Sequence, residues 1–255
     1  MSFPKVSIIT PSFNQGHFIE ATIQSVLAQT YPNIEYIIVD GGSTDDTMTV
    51  VDRYRAQLAT VFHEPDRGQS DAINKGFRAA SGELVGWINS DDILYPDCVS
   101  RMVAHYRQHP DGAVYHSAAL DQIDEAGSHL VTRFVSIPNR EHLLTHNYDL
   151  IQQGSFYPTP LIRQVGYVDE TIHYCMDLDL WLRLLNHGPI YSYANEAVAG
   201  FRMGSDTKTT TGGHRFLSDI QRVLLRNGAP ATSRAVLKTR YYQFKRRVKE
   251  TVRLS

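Results

Sequence analysis

Two adjacent carboxylates, Asp91 and Asp92, follow a short apolar run, Glu83-Leu84-Val85-Gly86-Trp87-Ile88, with Asn89 and Ser90 between. Gly82 stops whatever helix precedes the run, which has the length of a buried strand. Pro96 stands where the first turn of a new helix would begin, so the acids are expected on a strand-to-helix turn. In an open α/β sheet, ligands bind outside the carboxyl ends of the strands. Like charges that close repel, and a cation relieves them. A hard divalent ion held by one or two carboxylates, with phosphate oxygens completing its shell, is the chemistry such a pair serves. Capping of the next helix by the same side chains is the structural alternative. The pair by itself does not choose.

Other groups with chemical potential are spread along the chain. Asp40 ends a strand-like run, Ile34 to Val39, and precedes Gly41-Gly42-Ser43. An acid there suits a dinucleotide ribose, but that reading needs G-x-G-x-x-G after the first strand. The turn is instead Thr10-Pro11-Ser12-Phe13-Asn14-Gln15-Gly16, with a single glycine, and no Walker A loop occurs. NAD and P-loop chemistry are therefore set aside, and a nucleotidyltransferase with its own Gly-rich phosphate loop is disfavoured. Arg67 and Lys75 are the cations placed to face a nucleotide from the next loop, although Lys75 reads better as part of a solvated helix face. Asp177 and Asp179 open a segment whose Leu178, Trp181, Leu182 and Leu185 form one helical stripe. Carboxylates at a helix start are favoured by its free N–H groups, so simple capping competes with chemistry here. His142 and His146 lie at metal-compatible spacing, but no third ligand accompanies them and surface histidines are expected.

The elements that must position these groups alternate. Lys5 to Thr10 reads as a strand ended by Pro11, and Phe18 to Gln29 has helical spacing. The Ile34–Val39 strand is followed by caps at Thr44 to Asp46 for a helix reaching about Leu58. Thr60 to Glu64 is a third strand, and Ser70 or Asp71 caps a helix to about Ala80. Strand and helix alternating with short links predict parallel βαβ units. Further on, Ala113 to Leu120 reads as a strand, Asp121 to Gly127 as a polar turn into another, and Ile190 to Met203 as largely strand. Ser205 to Gly213 reads as a loop able to close over a ligand. A helix is expected over His214 to Asn227, and another after Thr232 or Ser233.

Composition, with 42% hydrophobic and 20% charged residues, is that of an ordinary globular protein of 255 residues. Cys98 and Cys175 lack ligand spacing, which suits a reducing compartment and gives no zinc site. Neither a signal peptide nor a membrane-spanning run is expected. The net charge of −2 hides an asymmetry: 14 Lys/Arg against 25 Asp/Glu before His214, and 11 against 2 from it onward. The acidic body argues against nucleic acid as a partner. The basic end carries Tyr241, Tyr242, Phe244 and Val248 among Lys238, Arg240, Lys245, Arg246, Arg247 and Lys249, a pattern that suits an anionic membrane surface or a solvated helix.

Two stretches, VSIITPSFNQGHFIEATIQSVLAQTYPNIEYIIVDGGSTDDT and EPDRGQSDAINKGFRAASGELVGWINSDDILYPD, resemble the family 2 glycosyltransferases, and most closely the bacterial branch associated with O-antigen and exopolysaccharide assembly. The resemblance is strong over residues 4–110 and looser around 150–210. It implies an α/β GT-A fold with a Rossmann-like mixed central sheet flanked by helices, and mostly inverting chemistry. It also implies that Thr10, Pro11, Ser12 and Asn14 line a nucleotide pocket, that Asp40 receives the base, and that Asp71 and Arg67 lie in the next nucleotide-facing loop. Asp91 and Asp92 fall on the D-x-D motif for ribose and metal, with Asn89 where aspartate is common. Asp177 corresponds to the catalytic base of an E-D-x-D-L-W pattern, with Met176 replacing glutamate. Phe201-Arg202 matches a late motif in which a metal-holding histidine often follows; here Met203-Gly204 stands instead.

The expectation is therefore a glycosyltransferase domain over residues 1–212, with a nucleotide-binding half (1–112) and an acceptor half (113–212), and a basic helical extension over 213–255. It would move a sugar from a nucleotide-diphosphate donor, UDP above all, to a glycan or lipid-linked acceptor with Mn2+ or Mg2+, in the cytoplasm or on the inner face of the membrane. The alternative is a non-catalytic sugar-nucleotide-binding module, suggested by Met176 and Gly204.

Overall fold

The computed structural model describes residues 3–204 and 213–254. The loop expected from Ser205 lies outside them except for Gly213, and the side chains of Arg247, Val248 and Lys249 lie outside them as well.

Strands β1 (Val6–Ser12), β2 (Ile34–Asp40), β3 (Thr60–His63) and β4 (Leu84–Trp87) run parallel in the order β3-β2-β1-β4. An antiparallel strand, β9 (Phe156–Pro158), joins β4 to the parallel pair β6 (Val114–Ser117) and β10 (Ile190–Ala194), making a seven-stranded mixed sheet. Every residue of β1 is buried, as befits a strand covered on both faces. Its side chains alternate between two apolar clusters: Ile9 with Ile37, Trp87 and Phe77 on one face, Ile8 with Ile38, Ile23 and Met102 on the other. Pro11 does not end β1. Strand β4 pairs with β1 only as far as Ile9, so proline sits where one edge is open and a missing N–H is tolerated.

A second sheet has the order β5-β11-β7-β8, from β5 (Ile93–Leu94), β11 (Ala199–Arg202), β7 (Ala119–Ile123) and β8 (His129–Phe134). The runs expected as single strands over 113–120 and 190–203 are each divided between the two sheets. The fully buried Ser117 hydroxyl pins that corner, accepting from the Ala119 N–H and facing the carbonyls of Ala119, Ala194 and Glu196.

Helices α1 (Ile19–Leu27), α2 (Thr47–Arg53), α3 (Gln69–Ala79) and α4 (Cys98–Gln108) flank the first strands. Helix α2 is shorter than expected, with a separate 3-10 turn at Arg55–Gln57. Helix α3 starts two residues earlier than a Ser70 cap would give, after Gly68 at φ 113, and not from a Ser70 or Asp71 cap. Helix α4 begins at Cys98, with β5 between it and Asp92, so the carboxylate pair does not cap it. Later come α5 (Arg140–Thr145), capped by Asn139, then α6 (Thr159–Gln164), α7 (Met176–Leu184), α8 (Gly213–Arg226) and α9 (Arg234–Leu254). The last two helices contribute Ile220, Val223, Leu224 and Val236 to the same cluster as Phe77 and Trp181. No helix among the described residues is long and apolar enough to cross a membrane.

Candidate active site

A cavity of about 970 Å³ opens where β1, β2 and β4 end. Ser12 from β1, Gly41 beyond β2, and Asn89 and Asp91 beyond β4 line one side. Asp177 from the first turn of α7, Phe216 and Ile220 from α8, and Lys238 from α9 line the other.

Pro11 and Ser12 are on the wall. The Ser12 hydroxyl and the Gln15 Oε1 are both buried without a hydrogen-bond partner among the described residues, and both residues line the cavity. Native proteins rarely leave such groups unmet. Thr10 and Asn14 do not line the cavity. The Thr10 hydroxyl pairs with the Tyr36 hydroxyl at 3.0 Å inside the sheet. Asn14, at φ 52, accepts from the Thr44 N–H and gives its own N–H to the Ser43 hydroxyl, shaping the loop.

Asp40 is wholly buried behind Gly41 and is not on the wall. Its Oδ2 accepts from the Gly42 and Ser43 N–H groups at 3.0 and 2.8 Å and meets His63 Nδ1 at 2.7 Å. Its Oδ1 accepts from the Ser43 hydroxyl. In this geometry Asp40 builds the β2–α2 loop. The acid that does line the cavity from this direction is Asp66, whose Oδ1 accepts the Gly68 N–H at 2.7 Å.

Asp91 and Asp92 point to different surroundings. Asp92 has no exposure, and its Oδ1 accepts the Arg202 N–H at 3.0 Å. Its Oδ2 accepts from Gln153 Nε2 at 2.9 Å and Asn89 Nδ2 at 3.2 Å. An aspartate at position 89 would present an acceptor to an acceptor there, so Asn89 fits its neighbour. Burial, then the adjacent Asp91, push the Asp92 carboxyl up, against those donors. Asp91 lines the cavity, and no side chain among the described residues donates to its carboxylate. Burial raises its carboxyl too, while the Arg202 guanidinium opposes the rise. That guanidinium is spent on the carbonyls of Asp91, Asp124 and Glu125 and lies over the Phe18 ring.

Arg67 and Asp71 are also off the wall. The Arg67 side chain beside Asp71 holds that carboxyl below the usual range. Arg67 also pairs with Glu170 at 2.6 Å, and Lys75 pairs with Glu64 at 3.0 Å. Asp177 is partly buried in the first turn of α7, its Oδ1 accepting the Leu178 N–H at 2.8 Å; the residue at the cap is Cys175, which makes no side-chain bond. His142 and His146 stack, with ring centroids 5.4 Å apart. Among the described residues no group of three or more His, Cys, Asp and Glu side chains is gathered for a metal.

Sequence reasoning missed Gln153, Arg202 as an anchor of the acidic turn, and the wall contributed by α8 and α9.

A mixed sheet in this order, with an acidic turn after β4 facing the same cavity as an acidic helix start, defines a GT-A fold. The chain belongs to glycosyl transferase family 2, whose model matches residues 7–171. An uncharacterized glycosyltransferase of Rickettsia typhi is 30% identical over 81% of this chain, which spans 66% of that relative. A Rickettsia felis relative is 31% identical, and the chain spans 32% of it. The putative teichuronic acid biosynthesis glycosyltransferase TuaG of Bacillus subtilis is 30% identical over 78% of this chain and 79% of its own length. Among solved structures, S. aureus TarS 1-349 in complex with UDP-GlcNAc superposes with a TM-score of 0.68 at 18% identity, covering 94% of this chain and 70% of that TarS chain. The mannosyltransferase PcManGT from Pyrobaculum calidifontis, in complex with GDP-Man and Mn2+, gives 0.63 at 17%, covering 95% and 70%. At such identities the likeness is one of fold.

Proposed function

We propose that this chain is an inverting glycosyltransferase that uses a nucleoside-diphosphate sugar, UDP-linked in the first instance, and an acceptor hydroxyl on a glycan or lipid-linked glycan of the bacterial surface. The observation that carries the reading is that Asp91 and Asp177, far apart in the chain, face one cavity whose wall holds the unmet Ser12 and Gln15 groups. Nucleotide polar atoms would meet Ser12 and Gln15. Asp177 would take the proton of the acceptor hydroxyl as its oxygen attacks the anomeric carbon. The bond from that carbon to the phosphate oxygen breaks in line, and the electron pair leaves with the diphosphate.

A divalent ion, Mn2+ or Mg2+, fits the Asp91 position, since such ions take one or two carboxylates and complete their shell with phosphate oxygens and water. When bound it supplies positive charge against the departing diphosphate. Asp92 then acts behind Asp91, holding the turn through Arg202, Gln153 and Asn89. The likeness to TuaG, a putative teichuronic acid biosynthesis glycosyltransferase, supports a place in surface polysaccharide synthesis. The exposed Tyr241, Tyr242 and Phe244 of α9, beside Arg240 and Lys245, support contact with an anionic membrane surface on the cytoplasmic side.

A thermal-shift screen of nucleoside diphosphates with and without Mn2+ tests the donor. At a ligand concentration of 100 Kd, a specific ligand stabilises by about 2.7 kcal/mol, so UDP with Mn2+ should raise the melting temperature by several degrees. No shift with any nucleoside diphosphate would remove the donor reading.

A further inference from the structure

We infer that Arg226, at the end of α8, is a positioning residue that sets the rotation of α7 and so aims Asp177 into the cavity. The inference rests on the reading of Asp177 as the base. Asp177 and Asp179 are two residues apart on one helix, so their side chains project roughly 200° apart around its axis. One lines the cavity; the other is turned away from it with no exposure.

Asp179 is held from three directions. Its Oδ2 accepts Arg183 Nε at 2.8 Å, and its Oδ1 accepts Arg226 Nη2 at 2.7 Å and Asn227 Nδ2 at 3.2 Å. Arg183 belongs to α7 and ties it to the body as well, its other nitrogens donating to the Val165 and Tyr167 carbonyls at 2.6 Å each. Arg226 comes from a separate element. Its fork is divided: Nη2 goes to Asp179 and Nη1 to Asp169 Oδ2 at 2.8 Å, in the segment before α7.

The far end of α7 is tied to this same end of α8 as well, through Arg140 of α5. Arg140 gives Nε to the Leu182 carbonyl at 2.8 Å and Nη2 to the Asn227 carbonyl at 2.9 Å. With both ends of α7 registered against α8, the helix cannot roll without stripping partners from a buried carboxylate, which is strongly unfavourable. Arg226 therefore acts as the counter-anchor on the face of α7 opposite Asp177. Its own side chain is 46% exposed, so it can be replaced without opening the core.

The test compares Arg226→Gln, Arg226→Lys and Asp169→Asn in the full chain, measuring sugar transfer and Mn2+-dependent UDP affinity well below each melting temperature. Arg226→Gln should lower kcat by tenfold or more while UDP affinity stays within twofold. Arg226→Lys, which keeps the charge and one bond, should recover part of the loss. Asp169→Asn cuts only the other prong and should lower stability while leaving kcat within twofold. Wild-type kcat in Arg226→Gln, or an equal loss of kcat in Asp169→Asn, would overturn the inference, the second by assigning the effect to docking of α8 as a whole. Should Arg226→Gln not fold, wild-type kcat in Arg226→Lys at reduced stability overturns it too. Asp177→Asn separates the two levels: full transfer there removes the base assignment, whereas its loss with wild-type kcat in Arg226→Gln removes only the role of Arg226.

Discussion

Asp92 gives both carboxylate oxygens to donors fixed by three different parts of the chain, while Asp91 keeps its carboxylate at the cavity. The two should therefore answer differently to the same change. Asp92→Asn turns an N–H2 toward at least one donor and leaves it unmet, so a loss of about 1–3 kcal/mol in urea unfolding is expected. Asp91→Asn should be nearly silent in unfolding but should weaken Mn2+-dependent UDP binding at least tenfold by calorimetry. If Asp91→Asn binds UDP and Mn2+ as wild type does, Asp91 is not the metal residue. Asp177 invites a parallel comparison. Asn can accept the Leu178 N–H just as Asp does, so Asp177→Asn should leave the unfolding midpoint nearly unchanged. It cannot take a proton, and transfer should fall by about 10²–10⁴-fold with UDP affinity intact. Full transfer in that variant would return Asp177 to a structural role.

At the scale of elements, α8 is tied to the segment before α7 by an Arg226–Asp169 ion pair that responds to acid. Burial raises the Asp169 carboxyl, but hydrogen bonds from Thr171 and Arg226 outweigh it and bring the group down to about 2. A carboxyl depressed in the folded state stabilises above its unfolded pKa, near 3.9, and loses that contribution as pH falls through the folded value. The difference in stability between wild type and Asp169→Asn should hence be constant above about pH 5. It should shrink as pH drops from about 4 toward about 2. Urea midpoints across that range measure it; a gap that widens with acid would contradict the assignment. The same ties explain why α8 lines the cavity instead of trailing from it: Phe216 and Ile220 are on the wall because Arg226 and Arg140 fix the helix beside α7.

Across the whole molecule, the charge is divided between an acidic body and a basic end, and the structure uses part of that division internally. Arg226 pairs with Asp169 and Asp179, and Lys238 lies 3.6 Å from Asp149 and over the Tyr148 ring. Lys238 thus faces the body, and is not part of a free cationic face. Arg240, Lys245 and Arg246 remain exposed along α9 with Tyr241, Tyr242 and Phe244. If this face meets the membrane, the protein should sediment with vesicles containing anionic lipid and be released by high salt. Replacing Arg240, Lys245 and Arg246 by Glu should abolish sedimentation without moving the unfolding midpoint. Undiminished vesicle binding by that variant would show that α9 is not the contact.

The first four parallel strands and their helices were legible because each is a local pattern. Apolar runs such as Val6 to Ile9 and Ile34 to Val39 carry their own period and stop signals. The acidic turn after β4 and the acids at the start of α7 were legible as residue types at an element's end. Their roles were not, because the partners that divide Asp91 from Asp92 lie 61 and 110 residues away, at Gln153 and Arg202. Nor does any local period reveal that a strand changes sheets at Ala118, since that corner exists only where Ser117 meets Ala194 and Glu196. Asp40 reads in the chain as a binding acid, and the fold encloses it because the nearest donors are its own loop and His63. The wall supplied by Phe216, Ile220 and Lys238 likewise belongs to tertiary packing, because the buried charge of Asp179 is satisfied only when the last helices fold back onto α7.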